Sequence, residues 1–486
     1  MKVLLVATYE LGHQPAGLAA LAVPLLAAGH DVTVVDLTAE PPRPSWSEGA
    51  DAVVFSVPMH TATELALELA RSLRPAASPG RPRLGFAGLY APVLEGHPLL
   101  GPQDLLVAGE AAPAVLDWLD HEPAATSSPE PVVELGPARL PAAALPDRRL
   151  LPPLERYATY LSPGCEPLLT ASVETTRGCN HSCRHCPVAS VYRGRSRLVQ
   201  IESVLADVAQ AVELGAGHVS FADPDFLNRP RHAVAVARAL HERFSELSFD
   251  ATIKVEHLLR HADLLGELRA LGLEVVVSAF ESTDDAVLAL LRKGHTAADE
   301  IEAVRVTRAA GIELRPSWLP FTPWTTRESL AALLELSARA DLVGSTDAVQ
   351  YTIRLLLPRG SLLLDEPDPV LRAALDRARR AGTETSFGSA AWRHAEVALE
   401  ELQQEMAATV EGAGGECSQA ATASTRLFEE LWELARSAGL PLAPEPPEPE
   451  PRLSHPLPAG SRPRLSESWF CCAEPTSRQL ALVKGG

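Results

Sequence analysis

Three cysteines, Cys179, Cys183 and Cys186, stand in the run Val173-Glu-Thr-Thr-Arg-Gly-Cys179-Asn-His-Ser-Cys183-Arg-His-Cys186-Pro-Val. An apolar, β-branched stretch that reads as a strand leads directly into it. Thiols at Cys-x3-Cys-x2-Cys spacing on one short loop suit a single metal centre. Such a loop can hold three irons of a 4Fe-4S cubane, a cluster that commonly takes four cysteines, and it leaves one iron with an open position. The competing readings are a zinc knuckle and a disulfide loop. Zinc requires a fourth ligand at finger-like spacing, and His181 and His185 fall too close in sequence to supply it. The chain has seven cysteines, an odd number with three in one metal-like motif, which fits a reducing compartment better than a disulfide framework.

The motif and its strand-then-loop setting resemble the signature of the radical S-adenosylmethionine (SAM) enzymes. That resemblance implies SAM chelating the open iron and an electron from the cluster splitting a carbon–sulfur bond homolytically. It also implies an external electron donor of the flavodoxin or ferredoxin type. His185, the residue before the third cysteine, departs from the aromatic usual there; its planar ring is expected to stack near adenine.

At 486 residues the chain is long for one core, and one domain per about 150 residues predicts about three units. A net charge of -19 argues against a nucleic-acid binder, because phosphate neutralisation needs clustered Lys and Arg. No apolar run reaches the ~18 residues of a membrane span. Met1-Lys-Val-Leu-Leu-Val-Ala enters a β-like run without the pattern of a signal peptide. The expectation is a cytoplasmic protein that acts on a small molecule, with no nucleic-acid or membrane partner.

Residues 1–122 alternate short apolar runs with helical patterns, which predicts a parallel, doubly wound sheet. Ligands of such sheets sit at the carboxyl ends of the strands; here these are Thr8 to Gly17, Ser56 to Ala62, Gly88 to Ala91, and Gly109 with Glu110. The arrangement resembles the cobalamin-binding domain that precedes the radical domain in one branch of radical SAM enzymes, so cobalamin is a possible second cofactor. A Rossmann-like domain without any cofactor stays open as the alternative. Residues 123–167 are rich in Pro, Ala and Ser and read as a linker.

From 168 to 364, six strand candidates alternate with helices, and with the resemblance they predict a partial (β/α)6 barrel. The active site of a parallel barrel lies at the C-terminal strand ends. There stand Asp223 and Asp225 after the second strand, Glu256 after the third, Ser278 and Glu281 at the fourth, and Arg315 in the fifth. The resemblance assigns Asp223 or Asp225 to the methionine ammonium of SAM, and Ser278 and Glu281 to its ribose and carboxylate region. A carboxylate suits an ammonium, and an Arg suits a carboxylate.

Residues 365–440 read as a small helical region, and 441–486 as a stiff Pro/Glu spacer followed by Ser468-Trp-Phe-Cys471-Cys472-Ala-Glu-Pro475. This ending resembles the mark of the CUAEP/CCAEP-tail radical SAM subgroup. Adjacent thiols can bind one soft atom, form a vicinal disulfide, or anchor the tail as apolar groups. Three functions compete. The first expectation is transfer of a methyl or 3-amino-3-carboxypropyl group from SAM to arsenic or selenium held by Cys471 and Cys472. The second is cobalamin-dependent methylation of carbon or phosphorus. The third is a non-catalytic cluster or cobalamin protein that senses redox state or carries electrons.

Overall fold

Strand β1 (Lys2–Ala7) is buried from Val3 onward, which puts it inside a sheet covered on both faces. It pairs in parallel with β2 (Asp31–Asp36) and β3 (Ala52–Ser56), and the sheet continues through β4 (Arg83–Ala87), β5 (Leu105–Gly109) and β6 (Val132–Glu134). Alternate residues of the same strands feed two cores. Leu4, Val6, Phe55 and Phe86 pack with helix α2 (His60–Leu73), whereas Val3, Leu5, Val54 and Val107 pack with α1 (Ala16–Ala27) and α3 (Ala111–Asp120). This is the Rossmann-like sheet that the sequence predicts. The computed structural model describes residues 1–43, 46–73, 82–121, 129–140, 145–383, 388–413, 421–467 and 475–483.

One correction concerns the stretch 123–167, which the sequence presents as a linker. Its residues Val132–Glu134 pair with β5 as a sixth parallel strand. The open edge of β5 offers unpaired backbone groups, and two valines and a glutamate supply a short strand for them. Gly109 permits the pairing at its φ of 83°, because a side chain there would run into the Glu134 carbonyl.

The second sheet is built on β8 (Leu168–Val173). A small antiparallel hairpin of β9 (Thr176–Gly178) and β10 (Ser196–Leu198) follows it, with helix α4 (Pro187–Tyr192) between them. Then β11 (His218–Phe221), β12 (Ser248–Thr252), β13 (Leu273–Glu281) and β14 (Glu313–Trp318) add in parallel, and the five strands curl into a half-barrel. Val173, Val219, Phe249, Val276 and Leu314 face the helix layer, which includes α5 (Ile201–Glu213) and α6 (Pro230–Arg243). By the two-residue period, Ser172, Ser220, Asp250, Thr252 and Arg315 face the lumen. The concave side is therefore polar.

The expected sixth barrel strand, Ala348 to Leu357, is a correction too. Ala348–Thr352 forms a 3-10 turn, and only an isolated parallel bridge from Phe321 to Arg354 continues the barrel. The Gln350 side-chain oxygen accepts from the Trp318 backbone N–H at 3.1 Å, so that group of β14 is not left for a strand.

Helices Pro369–Arg380, Val397–Gly412 and Ala421–Ser437 form the predicted helical region. Phe428 and Trp432 of the last join the barrel core, where Phe428 meets Tyr351. Beyond it the chain is anchored along the barrel. Arg462, 3% exposed, pairs with Asp341 at 2.6 Å, and His455 pairs with Glu313 at 2.7 Å. Strand β15 (Arg464–Leu465) pairs antiparallel with β7 (Thr159–Leu161), which itself runs antiparallel to β8. Helix Ser477–Val483 returns to the first domain, where Val483 joins the α2 core. Among the described residues, no helix is long and apolar enough to cross a membrane.

Candidate active site

The cysteine loop is clipped at both ends. Pairing of β9 with β10 joins the residues before Cys179 to those after α4. Gly178, at φ 78°, makes the bend where any side chain would collide with the Tyr192 ring. Within the loop, Asn228 Oδ1 accepts from the Asn180 N–H at 3.0 Å and faces the Cys179 thiol at 3.6 Å, and the Arg292 carbonyl faces the Cys183 thiol at 3.7 Å. Cys186 caps α4, with Pro187 in its first turn. Cys179 and Cys183 are buried, Cys186 is half-buried, and all three are free thiols. Burial, then the neighbouring Cys183, pushes the Cys186 thiol up to about 12; burial raises Cys179 as well. Thiols gathered in so dry a place lose their protons only to a metal that compensates the charge, which suits a cluster better than a free nucleophile.

The strand-end carboxylates divide by environment. Asp223 is fully engaged: Oδ2 accepts from Thr175 N at 3.0 Å, and Oδ1 from Thr175 Oγ1 at 2.8 Å and from the Thr176 hydroxyl. Burial lifts it to about 6 against these hydrogen bonds. It braces the entry to the cysteine loop with both of its oxygens engaged.

Asp225 is different. It is wholly buried, and its Oδ2 lies 2.7 Å from His257 Nδ1 and 3.7 Å from His181 Nε2. The three ligand atoms lie within 4.8 Å of one another, yet none is aligned in a hydrogen bond. Burial, then Lys254, pushes His181 down to about 4, so its ring is neutral. Such a group of acceptors beside the cysteine loop fits a cation, either the three N–H donors of an ammonium or a divalent metal. Glu256 stands next to it, with Oε2 3.8 Å from His181 Nδ1 and 3.6 Å from Lys254 Nζ.

Glu281 closes the other side at a strained φ of 70°. Its Oε1 accepts from Lys293 Nζ at 2.9 Å and lies 3.2 Å from His185 Nε2. Burial alone would raise its pKa, but Lys293 and then His185 outweigh that and hold the carboxyl well below the usual range. His185, expected to stack on adenine, is thus placed against a carboxylate. Ser278 is fully buried on the face shared with Val276 and Phe280, turned from the lumen, and does not join this group. Arg315 does face the lumen, deeper down, and pairs with Asp347 at 2.7 Å. Cys471 and Cys472 lie outside the described residues.

Sequence reasoning missed Asn228 and gave His181 no ligand role; the only signal for either was nearness to a motif. It also missed how the first domain meets the loop. Ala108 and Leu89, from the carboxyl ends of β5 and β4, pack with Cys179, Val188 and Cys186, and Arg177 bridges Glu110 at 2.5 Å and Glu174 at 2.7 Å. At the neighbouring strand ends Ser56 donates to Glu10 at 2.7 Å, and His60 is 2% exposed.

Comparisons with known proteins agree with this layout. Residues 173–332 match the family model of the Radical SAM superfamily, so the half-barrel carries a radical SAM domain. An uncharacterized methyltransferase of Pyrococcus horikoshii is 24% identical over 187 residues, 38% of this chain and 39% of that protein. The hopanoid C-3 methylase of Methylococcus capsulatus is 24% identical over 328 residues, 64% of this chain and 62% of the methylase. The matches therefore span less than two thirds of either relative. Among solved structures, the cobalamin-dependent SAM radical enzyme OxsB, with aqua-cobalamin and SAM bound, aligns over 90% of this chain and 71% of its own at a TM-score of 0.65 and 13% identity, which shows a shared fold.

Proposed function

We propose that this chain is a cobalamin-dependent radical SAM methyltransferase acting on a small molecule. The observation that carries the reading is the close group Asp225 Oδ2, His181 Nε2 and His257 Nδ1, none of them aligned in a hydrogen bond, beside three free thiols of which two are buried and one half-buried, at the carboxyl ends of a parallel half-barrel. The first domain turns its own strand ends, at Leu89 and Ala108, toward the same loop.

Cys179, Cys183 and Cys186 hold a 4Fe-4S cluster in this reading, and Asp225 with the two imidazoles receives the ammonium of SAM. When bound, the cluster supplies the electron that cleaves SAM and cobalamin supplies a methyl carrier. Glu281, kept ionised by Lys293, fixes the imidazole of His185 at the rim. The loops after β1, β3, β4 and β5 are the surface available to a corrin. Among the described residues no imidazole there is exposed, since His13, His60 and His97 are all buried, so a corrin would be held without a histidine from the protein. The electron comes from a flavodoxin or ferredoxin type donor. The alternative soft acceptor, arsenic or selenium on Cys471 and Cys472, gains no support from the relatives.

The test is anaerobic reconstitution followed by reduction in the presence of SAM and methylcobalamin. Expected are a 4Fe-4S spectrum that requires all three cysteines, bound corrin absorbance, and formation of 5'-deoxyadenosine. D225N is expected to weaken SAM binding by at least about tenfold with unchanged iron content. A chain that assembles the cluster yet neither binds corrin nor consumes SAM would refute the proposal.

A further inference from the structure

Helix Asp285–Leu291 ends against the cysteine loop. Arg292, which closes it, takes a left-handed φ of 56°, and this bend serves two contacts at once. The Arg292 carbonyl faces the Cys183 thiol at 3.7 Å, and the next residue, Lys293, sends its side chain inward to Glu281 at 2.9 Å. The backbone is pinned on both sides of the bend, since the Arg184 N–H donates to the Leu291 carbonyl at 3.0 Å and the Lys293 N–H donates back to the Leu288 carbonyl at 3.0 Å. Gly294 follows at φ 79°, packed so closely on Glu256 that a side chain would meet its Oε2 at 2.7 Å. Main-chain bonds thus fix Lys293 next to the residue that faces Cys183. Through Glu281 it also reaches His185, 3.2 Å away from that carboxylate and immediately before Cys186.

Lys293 and Glu281 are both buried, so neither charge is well screened by solvent. Burial alone would lower the pKa of Lys293, but Glu281, then Cys183 and Cys186, outweigh it and keep the side chain cationic. As a structural tie, such a pair could be replaced by apolar side chains of similar volume. Beside a redox centre its two charges act separately. A cluster gains one negative charge on reduction, and its potential follows the charge and burial around it. A fixed ammonium next to the thiolates favours the reduced state, and a fixed carboxylate opposes it.

On the reading that Cys179, Cys183 and Cys186 hold a 4Fe-4S cluster, we propose that Lys293 and Glu281 set its reduction potential, Lys293 easing the entry of the electron from the flavodoxin or ferredoxin type donor and Glu281 limiting the effect. One electron leaves the donor and enters the cluster. Lys293 and Glu281 keep their protonation states, and no bond forms or breaks.

The test is a potentiometric titration of the reconstituted full-length protein without SAM, followed by the electron paramagnetic resonance signal of the reduced cluster, so SAM cleavage plays no part in the readout. E281Q leaves Lys293 unopposed and is expected to raise the equilibrium constant for reduction at least about tenfold, which is about 59 mV for a one-electron couple. K293M leaves the carboxylate unopposed and is expected to lower the potential. K293M/E281Q, with neither charge, is expected to return close to the parent. Damage to the fold would move the single variants the same way, whereas the two charges move them apart. E281Q keeps the test open if K293M does not fold. A potential in E281Q equal to or below that of the parent, or shifts of the same sign in E281Q and K293M, would each overturn the proposal while leaving the cluster reading intact. A parent chain that assembles no cluster would overturn that reading, and the proposal with it.

Discussion

Lys293 Nζ meets Glu281 Oε1 at 2.9 Å in a place where both side chains are nearly sealed from solvent. Removing one partner of a buried pair leaves the other charge uncompensated, at a cost of about 3–5 kcal/mol. K293M is therefore expected to lower stability by roughly that amount, with the double variant K293M/E281Q recovering part of it. Chemical denaturation of the two variants checks this; a K293M protein as stable as the parent would contradict it.

Glu10 gives a pH dependence of opposite sign to an ordinary ion-paired carboxylate. Burial lifts its pKa to about 8 despite the hydrogen bond from Ser56. A folded-state pKa above the unfolded one means that its contribution is complete below about 4.5 and is lost as pH rises toward 8. E10Q is expected to flatten the fall in stability between those limits, by on the order of 2 kcal/mol at pH 8, since Glu10 keeps some contact with solvent. Urea unfolding at pH 5 and pH 8 reads the difference, and parallel curves for parent and variant would argue against it.

Gly178 tests the clip on the cysteine loop. G178A combines a left-handed backbone with a collision against Tyr192, and is expected to cost at least about 2 kcal/mol. Iron retained after reconstitution should fall with it, whereas G17A, at an open position in α1, should retain iron like the parent.

Asp223 and Asp225 separate bracing from binding. D223A leaves the Thr175 and Thr176 donors unsatisfied, at about 1–3 kcal/mol for each buried group, so it is expected to reduce both thermal stability and cluster content. D225N should leave both near the parent level and affect SAM alone. Isothermal titration with SAM beside iron analysis distinguishes the two.

The strand alternation of both sheets was legible because buried parallel strands announce themselves as short apolar runs, and the cysteine loop because three thiols at that spacing have few other uses. β6 was not, since Val132 and Val133 are exposed and make a strand only by virtue of the edge they join. The sixth barrel strand failed for the converse reason: Ala348 to Leu357 has strand composition, but the Gln350 side chain intercepts the pairing. Among the site residues, sequence order could nominate Asp223 and Asp225 equally. Only the threonines around Asp223 tell them apart, and those bonds depend on how β8 and β11 lie side by side. The alternation of β13 turns Ser278 to the helix side, which the order of residues alone does not reveal.

The hydrogen bond from Tyr9 to Glu467 joins residues 458 positions apart, so it can form only after nearly the whole chain has been made. During synthesis the first domain, the cysteine loop and the whole half-barrel are complete before Glu467 leaves the ribosome, and domains generally fold as they emerge. A nascent or prematurely ended chain thus carries Cys179, Cys183 and Cys186 while Glu467, which lines the lumen, is still missing. Translation reaching the arm is the event that ties the end of the chain back to the loop after its first strand.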